Sequence, residues 1–174
     1  MKKTIGFLFV VLLVTATTSF AQKTELKFGH INSQELLESM PERETARKQL
    51  EEYSQMLQKE MEAMQTEYQT KVTAYLEKQA TFSDLVKKSK EQEIQEMQRR
   101  VQEFQQTAQQ DYQQKQAELI QPIMDKAQAA IEKVGKDNGF IYIFDLSAGA
   151  VVYQSAQSID VLPLAKKELG IVTQ

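Results

Sequence analysis

The chain of 174 residues has no cysteine and no tryptophan, and it has only one histidine, three prolines and six glycines. Without cysteine it can form no disulfide and offers no thiolate for catalysis. A serine–histidine–aspartate triad is not credible with His30 as the only histidine, so we interpret His30 as a structural or surface residue. The acidic residues show no metal-ligand spacing, and no glycine-rich phosphate loop occurs. The sequence therefore predicts a protein that is not an enzyme and has no cofactor.

The chain also lacks an excess of positive charge. It has 21 basic and 24 acidic side chains, a net charge of −3. A protein that binds nucleic acid without regard to sequence needs many cations against the phosphates. We therefore expect no nucleic acid among its partners.

Long apolar runs are almost absent too, and the exception lies at the start. Lys2 and Lys3 precede the run from Ile5 to Val14, and small residues follow it up to Ala21. This order is typical of a secretory signal peptide, here residues 1–21 with cleavage after Ala21. The run is shorter than the ~20 residues that span a bilayer, although an uncleaved anchor is the alternative. We expect export to the periplasm.

Two long segments carry a helical apolar pattern. In the first, nine apolar residues follow the spacing 4-3-4-4-3-4-4-3, which is an eleven-residue repeat: Ala46, Leu50, Tyr53, Leu57, Met61, Met64, Tyr68, Val72 and Tyr75. The second repeats this spacing from Met97 to Tyr112, with Lys115 as a flaw. Its eleven glutamines between 92 and 116 are typical of disorder, but the apolar period favours a helix. We predict an antiparallel hairpin.

The boundaries of the hairpin follow from capping and breaking residues. A turn is predicted at Thr81–Asp84, with Thr81 or Ser83 as the cap of the second helix. Pro41 is expected to break the chain before the first arm, and Pro122 to kink the second arm. The predicted organisation is a signal peptide (1–21), a β body with short helices (22–41 and 137–174) and a helical hairpin (42–136) with its tip near 78–90.

The two ends of the chain read as strands with short helices. A strand is predicted up to Ile31, with Asn32 as the cap of a short helix, and the last helix at 160–169. Between them, FIYIFD (140–145) and AVVY (150–153) read as a β-hairpin that is apolar on both faces. The first strand and last helix offer little cover, so we predict self-association. The alternative is a monomer whose arms fold back over the sheet. The predicted contact residues are Phe28, Ile31, Phe140, Ile141, Tyr142, Ile143, Phe144, Val151, Val152 and Tyr153.

This order of elements resembles the Skp/OmpH family of periplasmic chaperones. The resemblance rests on KFGHINSQELLESMPE (27–42), and on GFIYIFDLSAGAVVY (139–153) followed by SIDVLPLAKKELG (158–170). It implies a mainly α fold with a small β part, in which three copies form a trimer with a shared β-barrel body and three coiled-coil arms around a cavity. It also implies an ATP-independent holdase that binds unfolded outer-membrane proteins during their assembly. The alternative is a structural spacer or adaptor of the cell envelope.

Two features of the arms bear on client binding. Methionines such as Met56, Met61, Met64 and Met97 can adapt to many clients, although filling the seam between the arms is the simpler interpretation. Residues 71–90 are basic on an otherwise acidic hairpin. Their lysines could contact anionic lipid headgroups or acidic client segments, or they could only solvate the loop: Lys71, Lys78, Lys87, Lys88 and Lys90.

Overall fold

The computed structural model describes residues 26–171, so the predicted signal peptide lies outside the described residues. In this range the chain is mainly helical, with one small sheet. The elements in chain order are β1 (Lys27–Ile31), α1 (Ser33–Ser39), α2 (Pro41–Lys78), a 3₁₀ turn (Gln79–Thr81), α3 (Asp84–Asn138), β2 (Phe140–Asp145), β3 (Ile159–Asp160) and α4 (Leu162–Glu168).

The two long helices, α2 and α3, pack against each other as an antiparallel hairpin. With 38 and 55 residues, they are roughly 57 and 80 Å long. All nine stripe positions of α2 are buried or half-buried, so the eleven-residue pattern is confirmed as the seam. Polar contacts cross it as well. The Tyr53 hydroxyl donates to Asp111 at 2.7 Å, and this hydrogen bond raises the pKa of the Tyr53 phenol.

The helix ends follow the predicted capping residues. Met40 is extended and Pro41 is the first residue of α2, so the break before the arm is confirmed. The Ser83 hydroxyl accepts a hydrogen bond from the Val86 N–H at 3.4 Å and caps α3. Gly139 ends α3 in the left-handed region, at φ 70°. Pro122 lies inside α3, which continues through it as one helix.

The predicted β-hairpin is wrong. The sheet is parallel, in the order β2-β1-β3, and residues 150–153 form no strand. The turn at 146–149 is present, with the Gly149 N–H donating to the Leu146 carbonyl at 3.3 Å. After it the chain does not return along β2 but continues to β3 on the other edge of β1. Apolar patterning predicts that both faces of a strand need cover, but it does not identify the neighbouring strand.

The inner face of the sheet packs on α1, α4 and the base of α3. Ile31, Leu36 and Val161 are at most 2% exposed, and α3 contributes Ala127 and Val134 to the same core. The base of the second arm is therefore part of the body, where we expected cover only from β1 and the last helix. Gly29 allows this close packing, because a Cβ there would lie 3.0 Å from Val161 Cγ1.

A polar anchor at the end of β2 joins the sheet to α1. The Asp145 carboxylate accepts hydrogen bonds from the Ser33 N–H at 3.1 Å, the Ser33 hydroxyl at 2.6 Å and the Ser147 N–H at 2.9 Å. Burial by itself raises the pKa of Asp145, but these hydrogen bonds outweigh it and hold that pKa below its ordinary value. The ionised form is therefore bound more strongly in the folded state than in the unfolded chain.

We expect the Asp145→Asn variant to be less stable than the wild type by about 1–2 kcal/mol at pH 7, because charge-assisted hydrogen bonds are weakened. Since the folded pKa is lowered, this stabilisation is present above the unfolded pKa of 3.8 and is lost as the pH falls through the folded value. Urea unfolding of the wild type and the variant gives the difference in their free energies of unfolding at pH 7 and at pH 2.5. A difference that does not shrink at pH 2.5 would contradict the role of the carboxylate charge.

Candidate functional site

The outer face of the sheet carries an uncovered group of aromatic rings. The strand register pairs Phe28 with Tyr142 and His30 with Phe144, so these four side chains share the face opposite the core. The ring centroids are 6.4 Å apart for Phe28 and Tyr142, and 5.9 Å apart for Tyr142 and Phe144. The three rings are 40–61% exposed. We call this group, formed by Phe28, Tyr142 and Phe144, the aromatic face.

The segment from β2 to β3 borders the aromatic face and leaves a groove of about 690 Å³ beside it. Val151 is half-buried in the groove wall, whereas Val152 is 99% and Tyr153 80% exposed. Near the end of the segment, His30 Nδ1 lies 2.8 Å from the Ser158 hydroxyl oxygen. This contact fits the structural role that we expected for His30.

The structure distributes the ten predicted contact residues over two environments. Ile31 is in the core at 2% exposed, and Phe140 and Ile143 pack partly buried against the same core. The other seven lie outside this core, where Val151 is half-buried and the rest are exposed: Phe28, Ile141, Tyr142, Phe144, Val151, Val152 and Tyr153. Sequence reasoning left out Leu26 and Ile159, which are 61% and 43% exposed beside the groove. The apolar character of these two residues, at or next to a strand, is the sequence feature that could have identified them as contact residues.

The predicted tip lysines do not form one cluster. Lys71, Lys78 and Lys90 line a cavity of about 220 Å³, with Tyr75 and Phe82 among its other walls. Two of these lysines are paired: Lys71 with Glu67 at 3.6 Å, and Lys90 with Glu93 at 3.0 Å. The hydrogen bond from Lys90 lowers the pKa of Glu93.

The end of the tip combines free lysines with exposed apolar side chains. Within residues 26–171, Lys78, Lys87 and Lys88 have no carboxylate within ion-pair distance. Leu76 is 58% and Leu85 80% exposed close to them in the chain. Leu76 directly follows the stripe residue Tyr75 and was not identified from the sequence.

Between residues 26 and 171, no three histidine, aspartate or glutamate side chains come close enough together to hold a metal ion. No helix in that range has the length and apolar character needed to cross a membrane.

Fold and surfaces together define a long helical hairpin on a small body that exposes aromatic and aliphatic side chains. The chain belongs to the family described as Outer membrane protein (OmpH-like), which matches residues 27–169. This family is non-enzymatic. A crystal structure from Caulobacter crescentus, described as a candidate outer membrane chaperone (OmpH-like), matches the fold with a TM-score of 0.71 and 14% identity over 83% of each chain. No curated protein matches the sequence.

Proposed function

We propose that the protein is an ATP-independent holdase chaperone of the periplasm that binds unfolded outer-membrane β-barrel proteins and prevents their aggregation before insertion. The observation that carries this proposal is an OmpH-like helical hairpin that rises from a body with an uncovered aromatic face. The signal peptide predicted at residues 1–21 supports export. The domain boundaries that we propose remain those drawn from the sequence, with the base of α3 packed into the body.

The first part of the proposal is self-association as a homotrimer through the body. Phe28, Tyr142 and Phe144 leave apolar surface in water, and burying such surface contributes about 25 cal/mol per Å². β2 is an edge strand of the sheet, and an exposed edge beside apolar side chains favours pairing with another chain. Three copies that join these faces would enclose the rings and set three arms around one cavity.

We expect Phe144→Glu to shift the protein from trimer to monomer, because a carboxylate would be buried among aromatic rings without a partner. Val86→Glu is the matched control, since Val86 is 39% exposed at the far end of the hairpin. Sedimentation equilibrium over a range of concentrations measures the masses of both variants and the wild type. A monomeric wild type, or a Phe144→Glu variant that stays trimeric, would contradict self-association through the aromatic face.

The second part of the proposal is the binding of unfolded chains. Strands of an unfolded barrel alternate apolar and polar residues, and their open edges aggregate. A carrier without ATP must shield them by many weak contacts that release readily. Each arm of this protein is a single helix that is largely exposed to solvent. Side chains such as Leu57, Met61 and Tyr68 are half-exposed along the seam. These properties suit weak and adaptable contacts.

We expect residues 22–174 to keep a urea-unfolded outer-membrane barrel protein soluble after dilution, with one client for each trimer. Light scattering detects aggregation, and gel filtration with multi-angle scattering gives the stoichiometry. The folded barrel in detergent serves as the control and should not bind. A stable trimer that leaves the unfolded client to aggregate would contradict the holdase and would favour the envelope spacer or adaptor.

The third part of the proposal is a transient contact of the tip with anionic membrane surfaces. Lys78, Lys87 and Lys88 are free of ion pairs within the described chain, and Leu76 and Leu85 are exposed beside them. Each lysine near an anionic surface contributes about 1 kcal/mol, and apolar side chains add to this at the interface.

We expect Lys87→Gln/Lys88→Gln to weaken binding to vesicles of anionic lipid by about thirtyfold, because two surface charges worth about 1 kcal/mol each are removed. Lys48→Gln/Lys59→Gln is the matched control on the shaft of α2 and should bind like the wild type. Vesicle co-sedimentation at low and high salt gives the affinities. Equal losses in both double variants would refute a specific tip contact, and a loss of client binding alone would point to acidic client segments.

A further inference from the structure

The seam between α2 and α3 leaves the hairpin with two open sides, and one of them has an uncharged groove. On this side a groove of about 380 Å³ is walled by Ser54 and Gln58 of α2 and by Gln105 and Gln109 of α3. Its floor consists of half-buried seam residues, including Leu57, Phe104 and Tyr112. None of the nine lining residues carries a charge at neutral pH.

The helical repeat extends this uncharged surface along the arms. In an eleven-residue pattern, positions eleven apart lie on the same side of the helix. Toward the tip, one step from Ser54 and Gln58 leads to Gln65 and Gln69, and one step from Gln109 leads to Gln98. Toward the base, one step from Gln105 leads to Gln116, whereas one step from Gln58 leads to Arg47, where the uncharged surface of α2 ends. All these side chains are exposed. We call this surface, with four positions on each arm, the amide wall. At its border, the Glu62 carboxylate accepts a hydrogen bond of 3.0 Å from Gln58.

The opposite side of the hairpin carries charge. There the Asp111 carboxylate accepts the hydrogen bond from Tyr53, and one repeat away lies Arg100. On α2 the same side has Glu60 and, one repeat further, Lys71. The two sides of one hairpin therefore offer a client very different surroundings.

An uncharged wall above an apolar floor suits one kind of occupant. An extended, unfolded segment has backbone N–H groups and carbonyls that need partners, and a glutamine amide offers both donors and acceptors. Apolar side chains of the segment would cover the floor, where Met61 is flexible enough to adjust. On the opposite side of the hairpin, contact with such a segment would remove water from charged side chains. This loss of hydration opposes binding there.

We propose that the amide wall is the client-facing side of the arms. Extended, uncharged stretches of an unfolded β-barrel protein lie along it, with their backbones hydrogen-bonded to glutamine amides and their apolar side chains on the floor. Both the amide wall and such a stretch of the client lack charge, and this match argues for the client segment as the ligand. The inference rests on the proposed holdase function and assigns its binding surface.

The test compares two double variants with the same chemical change on the same helix. Gln105→Glu/Gln109→Glu places two carboxylates on the amide wall. Gln106→Glu/Gln110→Glu places them one position further, away from the groove, at side chains that are also exposed. Affinity for a urea-unfolded barrel protein is measured by fluorescence titration of the full mature chain. Circular dichroism and sedimentation confirm that both variants keep the helices and the assembly state of the wild type.

We expect the first variant to bind the client about tenfold more weakly than the wild type, and the second to remain within about twofold. A photo-crosslinking residue at 105 should capture the client, and one at 106 should not. Equal affinities for the two variants, or crosslinks from 105 to another copy of the chain, would overturn the assignment while leaving the holdase intact. A wild type that does not bind the client would overturn both.

Discussion

The packing of the base of α3 against the sheet and the short helices is the constraint on which the rest of the structure depends. Ala127 is small enough to let α3 lie close to the body, and Ile123 and Val134 fill the core beside it. The base of α3 is thus part of the core, and the rest of the same helix forms the second arm. Ion pairs from Lys126 to Glu42 and from Lys133 to Glu168 add contacts around this junction.

Because the arm begins inside the core, orientation of the body determines orientation of the hairpin. α3 enters the body as a continuous helix, and β2 follows after the single left-handed residue Gly139. The aromatic face and the hairpin are therefore held by the same short stretch of chain. In the assembly that we propose, contacts among the sheets would also set how the three arms are arranged.

Local features of this fold could be predicted from the sequence, whereas the strand pairing could not. The seam from Ala46 to Tyr75 depends only on the period of one helix, and the cap at Ser83 depends only on the local backbone. The strand that pairs with β2 depends on where α3 ends relative to the sheet. The apolar pattern of residues 140–153 does not contain this information. For the same reason the sequence places Ile31 and Ile143 with the aromatic rings among the predicted contact residues, since alternation separates two faces of a strand without identifying which one faces the core.

The eleven-residue repeat of the arms has a consequence for how such a hairpin can vary in size. Since eleven residues make three turns in this pattern, an insertion of eleven residues keeps the seam on the same side, whereas an insertion of five or six would rotate the apolar stripe away from its partner. Matched insertions in both arms would then lengthen the hairpin in steps of about 16 Å. The space enclosed by an assembly of such arms would change in discrete increments, so relatives could differ in capacity by whole repeats while keeping the same body.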